Sequence, residues 1–403
     1  MYFLSYLKFS IITIPLLLLS IVGFNRLIDP FALYNGPIIE GLNANKPAFS
    51  SHLRLAKAAA IRHQKPSAIV LGTSRGEYGI DPEHPGWRPS SVYNLALSGA
   101  NLYEAYRYLQ HAQEIQPLQQ VVLMLDFFMF NSNSLEKADF KEERLATDAE
   151  GKPQSKRWDD HIAVLASLDA ITDSIETIAR QHQQGGSIYL ANGMRESTHN
   201  AFNIHKSGGH RKAFLSNEKG YFNDTYNNFS FDSYRRDSWK LYEKLLNFAQ
   251  QQKIELHIVI SPSHARQFET MAAAGVWDSF ELWKRQLVTL NESIATEQGK
   301  APFALWDFSG YNHYTTEKVP PLGDTETQMQ WYWESSHYKK ELGDLVLDQI
   351  FNYNHPDRMI DKDFGVQLTG KNIETHLQKI RKDRQHWRSL YPEDVVEIEA
   401  LKR

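Results

Sequence analysis

Cysteine is absent from the 403-residue chain. That excludes disulfides, thiolate metal sites and a cysteine nucleophile, and it suits an oxidising compartment. An excess of either charge is lacking as well: 44 Lys and Arg stand against 48 Asp and Glu, a formal charge of -4. No basic block is long enough to track a phosphate backbone, so nucleic acid is not an expected partner. Long apolar runs are also scarce. The single one, Phe9 to Phe24 (FSIITIPLLLLSIVGF), is free of charge. With its flank from Tyr2 it offers about twenty residues, roughly what a tilted helix needs to cross a bilayer. No small-x-small cleavage pattern follows it. The expectation is one uncleaved anchor over residues 1–27 in the cell inner membrane, carrying a body in the periplasm. Lys8 against Arg26 does not decide the orientation.

What the body does contain is short apolar runs of strand length: Ser67 to Leu71, Ser91 to Leu97, Val121 to Phe128, Glu255 to Ile260 and Phe303 to Trp306. Each reads as a strand buried on both faces. Between them lie helical patterns at Leu53 to Gln64, Leu102 to Ile115, Ser238 to Gln252, Trp277 to Glu297 and Lys339 to Phe351. Alternation at this spacing predicts an α/β fold around a mainly parallel sheet. The segment 132–233 interrupts the alternation with charge clusters and glycine-rich turns, and its one clear helical pattern runs from Ile162 to Gln183. It reads as an insertion or cap. The expected layout is therefore an anchor at 1–27, an α/β domain at 28–353 and a C-terminal helical extension at 354–403, with a helix near Asn372 to Trp387.

The first strand ends on Gly72-Thr73-Ser74-Arg75. In an open parallel sheet, ligands bind outside the carboxyl ends of the strands, and a glycine turn there lifts a hydroxyl into the crevice. The competing reading makes Thr73 or Ser74 an ordinary helix cap. Near the C-terminus Glu334-Ser335-Ser336-His337 precedes an amphipathic helix. A neutral imidazole takes a hydroxyl proton efficiently when a carboxylate fixes its tautomer and opposes its new charge. Glu334 and His337 supply both groups from one turn, and with Ser74 they form a candidate Ser-His-Glu triad. Asp307 and Asp324 are the more remote acids.

These blocks, with "YNLALSGANLYEAY" (Tyr93 to Tyr106) and "LDFFMFN" (Leu125 to Asn131), resemble the SGNH (GDSL-like) hydrolase superfamily. The similarity is to its membrane-anchored branch, the periplasmic proteins of bacterial exopolysaccharide O-acetylation. The resemblance implies a three-layer α/β sandwich, a nucleophilic role for Ser74, an oxyanion role for the Gly99 amide and a base role for His337. Two features depart from the pattern. The acid is Glu334 rather than aspartate, and the third block is missing, so that Asp126 or Asn131 lies at that strand end and Asn101 is the substitute oxyanion donor. The match covers roughly Ser67 to Asn131 and Glu255 to Phe351.

On the same rim, "SPSHAR" ends the fourth strand. His264 and Arg266 are candidate substrate contacts, with His264 a rival base, and Asp126 joins them. Trp333, beside Trp331 and Tyr332, would stack on a sugar or pack in the core. The expected function is a serine esterase or O-acyltransferase acting on a glycan or acyl-ester substrate, without a metal or cofactor. A membrane acyltransferase is an open partner. The alternative from another class is a non-catalytic, anchored glycan-binding or assembly protein of the same fold.

Overall fold

The apolar runs collect into one sheet in the computed structural model of the chain, which describes residues 2–34, 36–155, 158–233 and 235–402. Its strands are β1 (Ala68–Leu71), β2 (Val92–Asn94), β3 (Gln120–Leu125), β4 (Glu255–Ile260), β5 (Ala304–Asp307) and β6 (Val366–Gln367). Their order is β2-β1-β3-β4-β5-β6. The first five are parallel, and β6 adds to the edge antiparallel to β5. Every residue of β1 and β3 is buried, which is why both read as unbroken apolar runs rather than as alternation. Ile69, Leu71, Val121, Leu123 and Ile258 enter one core cluster. Their neighbours Ala68, Val70, Val122, Met124 and Val259 enter another.

The N-terminal run is α1 (Tyr2–Ile28), whose stretch Tyr6–Ile28 is long and apolar enough to cross a membrane; its apolar part is left uncovered by the rest of the chain, while Asn25 and Ile28 in its last turn are buried. α2 (Leu53–Gln64) precedes β1, α3 (Ser74–Gly79) follows it, and α4 (Leu102–Ile115) leads into β3. Between β3 and β4 lie α5 (Trp158–Leu165), α6 (Leu168–Ala179), α7 (Ser197–Ser207), α8 (His210–Gly220) and α9 (Ser238–Gln251). α10 (Ala265–Ala273) and α11 (Trp277–Glu297) follow β4, α12 (Lys340–Phe351) follows β5, and α13 (Ile373–Leu390) and α14 (Pro392–Ala400) follow β6.

Several boundaries differ from the sequence expectation. β2 is only three residues long, although Leu95 N–H still donates to the Val70 carbonyl and Leu97 N–H to the Gly72 carbonyl. The run expected to continue to Phe128 leaves the sheet after Leu125 and coils into a short 3-10 turn at Phe127–Phe130. The helix expected over Ile162 to Gln183 is two helices, because Ser167 accepts from Ala170 N–H and starts α6 afresh. The polar segment after it holds α7 and α8, and the tail holds α14 and the edge strand besides α13.

With β2 on one side of β1 and β3 to β5 on the other, the order reverses between β1 and β3. The crevice outside their carboxyl ends is where a doubly wound sheet receives its ligand. Gly72 and Asp126 stand at those two ends.

Candidate active site

The turn after β1 is built around Gly72. Its φ of +141° belongs to glycine, and a Cβ there would lie 2.6 Å from the Met124 carbonyl oxygen on β3. Thr73 follows in extended conformation and caps α3: its hydroxyl accepts from Arg75 N–H at 3.3 Å and donates to Asp126. Arg75 returns Nη1 to the other Asp126 oxygen at 2.7 Å and Nη2 to the Tyr221 hydroxyl at 3.2 Å. One buried carboxylate thus ties the ends of β1 and β3 together. Ser74 comes out of this clamp partly exposed, while Thr73 and Arg75 on either side are buried.

His337 reaches Ser74 from a hairpin. Tyr332 pairs with Tyr338, Trp333 N–H donates to the His337 carbonyl at 2.9 Å, and Lys339 N–H donates to the Trp331 carbonyl at 2.7 Å. The hairpin is fastened to the end of β4: Tyr332 hydroxyl donates to the Pro262 carbonyl at 2.8 Å, and His264 N–H to the Ser335 carbonyl at 3.0 Å. At its tip Glu334 folds back on itself. It accepts from Ser336 N–H at 2.9 Å, from His337 N–H at 3.0 Å, from Ser336 Oγ at 3.1 Å and from His337 Nδ1. Burial pushes this carboxyl up, but the imidazole and these donors outweigh it and hold it below the usual glutamate range. With the Nδ1 proton given to Glu334, Nε2 is left as acceptor 2.6 Å from Ser74 Oγ. Hydroxyl, imidazole and carboxylate are in one hydrogen-bonded line.

The neighbours of this line come from far along the chain. The Tyr78 ring, one turn after Ser74, lies 4.4 Å from the His337 ring. The Arg195 guanidinium sits 5.0 Å from the centre of Tyr78 and 4.8 Å from that of Tyr189. Beneath α3, Glu77 accepts from Lys57 Nζ at 3.1 Å, from Ser98 Oγ at 2.5 Å and from the Tyr189 hydroxyl at 3.3 Å. Burial pulls the Lys57 ammonium down to about 8, with Glu77 opposing. Thr73 is the helix cap that the competing reading of the turn expected, whereas none of Tyr78, Glu77 or Arg195 was singled out from the sequence. Their partners are tens of residues away, and no local spacing announces them.

Gly99 lies on the turn next to Ser74, brought there by the Leu97 to Gly72 pairing, with φ +64°. Among the described residues, the N–H groups of Ser74 and Gly99 have no acceptor. A Cβ on Gly99 would fall 2.7 Å from Lys137 Cε, so the Lys137 side chain lies over this turn.

Five other residues singled out in the sequence do not face the site. Asn101 is a helix cap: its oxygen accepts from Glu104 N–H and its nitrogen donates to the Ser134 carbonyl, which commits the side chain to the start of α4. Asp126 is closed off by Thr73 and Arg75. His264 caps α10, accepting from Arg266 N–H at Nδ1 and donating from Nε2 to the Glu317 carbonyl at 2.7 Å. Both ring nitrogens are engaged by these bonds, and burial lowers the imidazole to about 4. Arg266 is fully buried, bidentate on Glu218 and paired with Asp394. Trp333 is buried, with Lys339 Nζ 4.3 Å from its ring centre. Of the alternative acids, Asp307 bonds Lys284 and His376, and Asp324 caps its own turn.

The arrangement can activate a hydroxyl toward an electrophilic carbonyl and hold the charge that develops. The sequence matches no protein-family model and no curated protein.

Proposed function

We propose that the chain is a membrane-anchored serine esterase or O-acyltransferase of SGNH-like architecture, acting on a cell-envelope or exported glycan with its body in the periplasm. One observation carries the reading: Ser74 Oγ stands 2.6 Å from His337 Nε2, whose other nitrogen is held by an ionised Glu334. The two apolar clusters that take alternate residues of β1, β3 and β4 support the three-layer sandwich the resemblance implies.

In the first half-reaction Ser74 Oγ attacks an ester carbonyl while Nε2 takes its proton. The new imidazolium is opposed by Glu334, and the oxyanion meets the free N–H groups of Ser74 and Gly99. Collapse breaks the bond to the leaving alcohol, which departs with the proton from Nε2, and the acyl group stays on Ser74. In the second half His337 takes a proton from water, giving hydrolysis, or from a glycan hydroxyl, giving transfer: that oxygen bonds the acyl carbon, the acyl–Ser74 bond breaks, and Nε2 returns the proton to Ser74 Oγ. The same atoms serve both; water exclusion decides between them. An acyl ester is the donor, and a membrane acyltransferase is the partner that would present it.

A purely glycan-binding protein has no use for a hydroxyl held against a base with an ionised acid behind it. The deciding experiment is labelling with a serine-directed fluorophosphonate. Wild-type protein is expected to label at Ser74, and Ser74→Ala to lose the label entirely. A folded wild-type protein that stays unlabelled would return the reading to the non-catalytic class.

A further inference from the structure

The last turn of α1 is fastened to the helices that follow β3. Asn25 donates to the Leu165 carbonyl at 2.7 Å and accepts from Ser174 Oγ at 2.8 Å. α5 and α6 therefore stand level with the end of the apolar helix. At that level Ile162, Leu168 and Ile175 are exposed, an arrangement that costs free energy in water and none against lipid. Beside it opens a cavity of about 380 Å³. Its rim includes Leu27, Pro37, Ile38 and Leu190, all exposed, and its floor includes Phe49 and Tyr93, both buried.

The charged groups in its wall are already engaged. Asp29 accepts from the N–H groups of Leu33 and Tyr34, and Lys46 Nζ donates to the carbonyls of Ile28 and Asp29. A small polar ligand would lose its hydration there for little return. An alkyl chain loses none, and its entry removes apolar wall from water at about 25 cal/mol per Å².

We propose that this cavity holds one acyl chain of a bilayer phospholipid, taken from the leaflet in which α1 ends. The inference rests on α1 lying in a membrane, as the proposed function has it. Its interest is position: Tyr189 lines the cavity, and its hydroxyl bonds Glu77 on α3, the helix that begins with Ser74. The lipid chain touches a ring one hydrogen bond away from the helix of the nucleophile.

The test uses the full chain in nanodiscs of phosphatidylcholine that carries a diazirine on one acyl chain, with photolabelled peptides identified by mass spectrometry. Label is expected on α1 and on the floor peptides containing Phe49 and Tyr93. Leu190→Asp, a surface change at the rim, and Ala60→Trp, which fills the cavity from its wall, are each expected to lose the floor label and keep that on α1. Label confined to α1 in the wild type, or floor label unchanged in both variants, overturns the proposal. Label absent from α1 as well overturns the anchoring on which it stands, and the proposal with it.

Discussion

Glu334 shows how a long carboxylate side chain reaches an imidazole only three residues away. It curls over its own turn until two backbone N–H groups, a serine hydroxyl and the imidazole all point at it. Glu334→Gln keeps the length but loses the charge, so turnover of an ester substrate should fall by roughly 10³–10⁴-fold with the fold intact, as measured by steady-state kinetics beside circular dichroism. Unchanged turnover would remove Glu334 from the acid role. Thr73→Val keeps the shape of the clamp but removes a donor from buried Asp126. It should cost about 1–3 kcal/mol in urea unfolding and slow fluorophosphonate labelling of Ser74. Labelling at the wild-type rate would show that the clamp does not position the nucleophile. At this scale the sequence revealed what is local. Glu334 and His337 are three residues apart and could be read together, whereas the Thr73–Asp126 bond spans 53 residues and has no signature in either neighbourhood.

The elements extend the same contrast between local and distant signals. Buried parallel strands advertise themselves as apolar runs, so β1, β3 and β4 were legible, while two-residue β6 has too little pattern to be seen and exists because β5 offers it an edge. His264 illustrates how packing overrides a motif. Its position after β4 suggested chemistry, yet the ring is a helix cap sealed inside the protein, and burial lowers it to about 4 from 6.5. An unfolded chain binds this proton below pH 6.5 and the folded one only near pH 4. The contribution is therefore complete above pH 6.5 and falls away between 6.5 and 4, by about 3 kcal/mol. His264→Asn preserves a cap acceptor and removes the titration. Its unfolding free energy should fall less steeply over that window than the wild type's, and parallel slopes in urea titrations from pH 4 to 6.5 would contradict the assignment.

For the molecule as a whole, the long apolar run was the plainest statement in the sequence, and α1 has the length and surface to match it. A periplasm-dependent reporter fused after the C-terminal residue should be active and a cytoplasm-dependent one silent; the opposite pattern would reverse the proposed topology. Less legible was how the tail belongs to the body. Arg266 on α10 is neutralised partly by Asp394 on α14, and His376 on α13 holds Asp307 at the end of β5, contacts between segments that composition alone had set apart. The Ser74–His337 contact spans 263 residues, and that distance is also an interval of time. At about 5–20 residues per second the ribosome makes His337 roughly 13–53 s after Ser74. If the body is exported as it is made, the serine crosses first and waits without its base, and the sheet edge at β5 stays open until β6 follows still later. If Ser74 is the nucleophile proposed above, it has no base to activate it until the segment that carries Glu334 and His337 has been made.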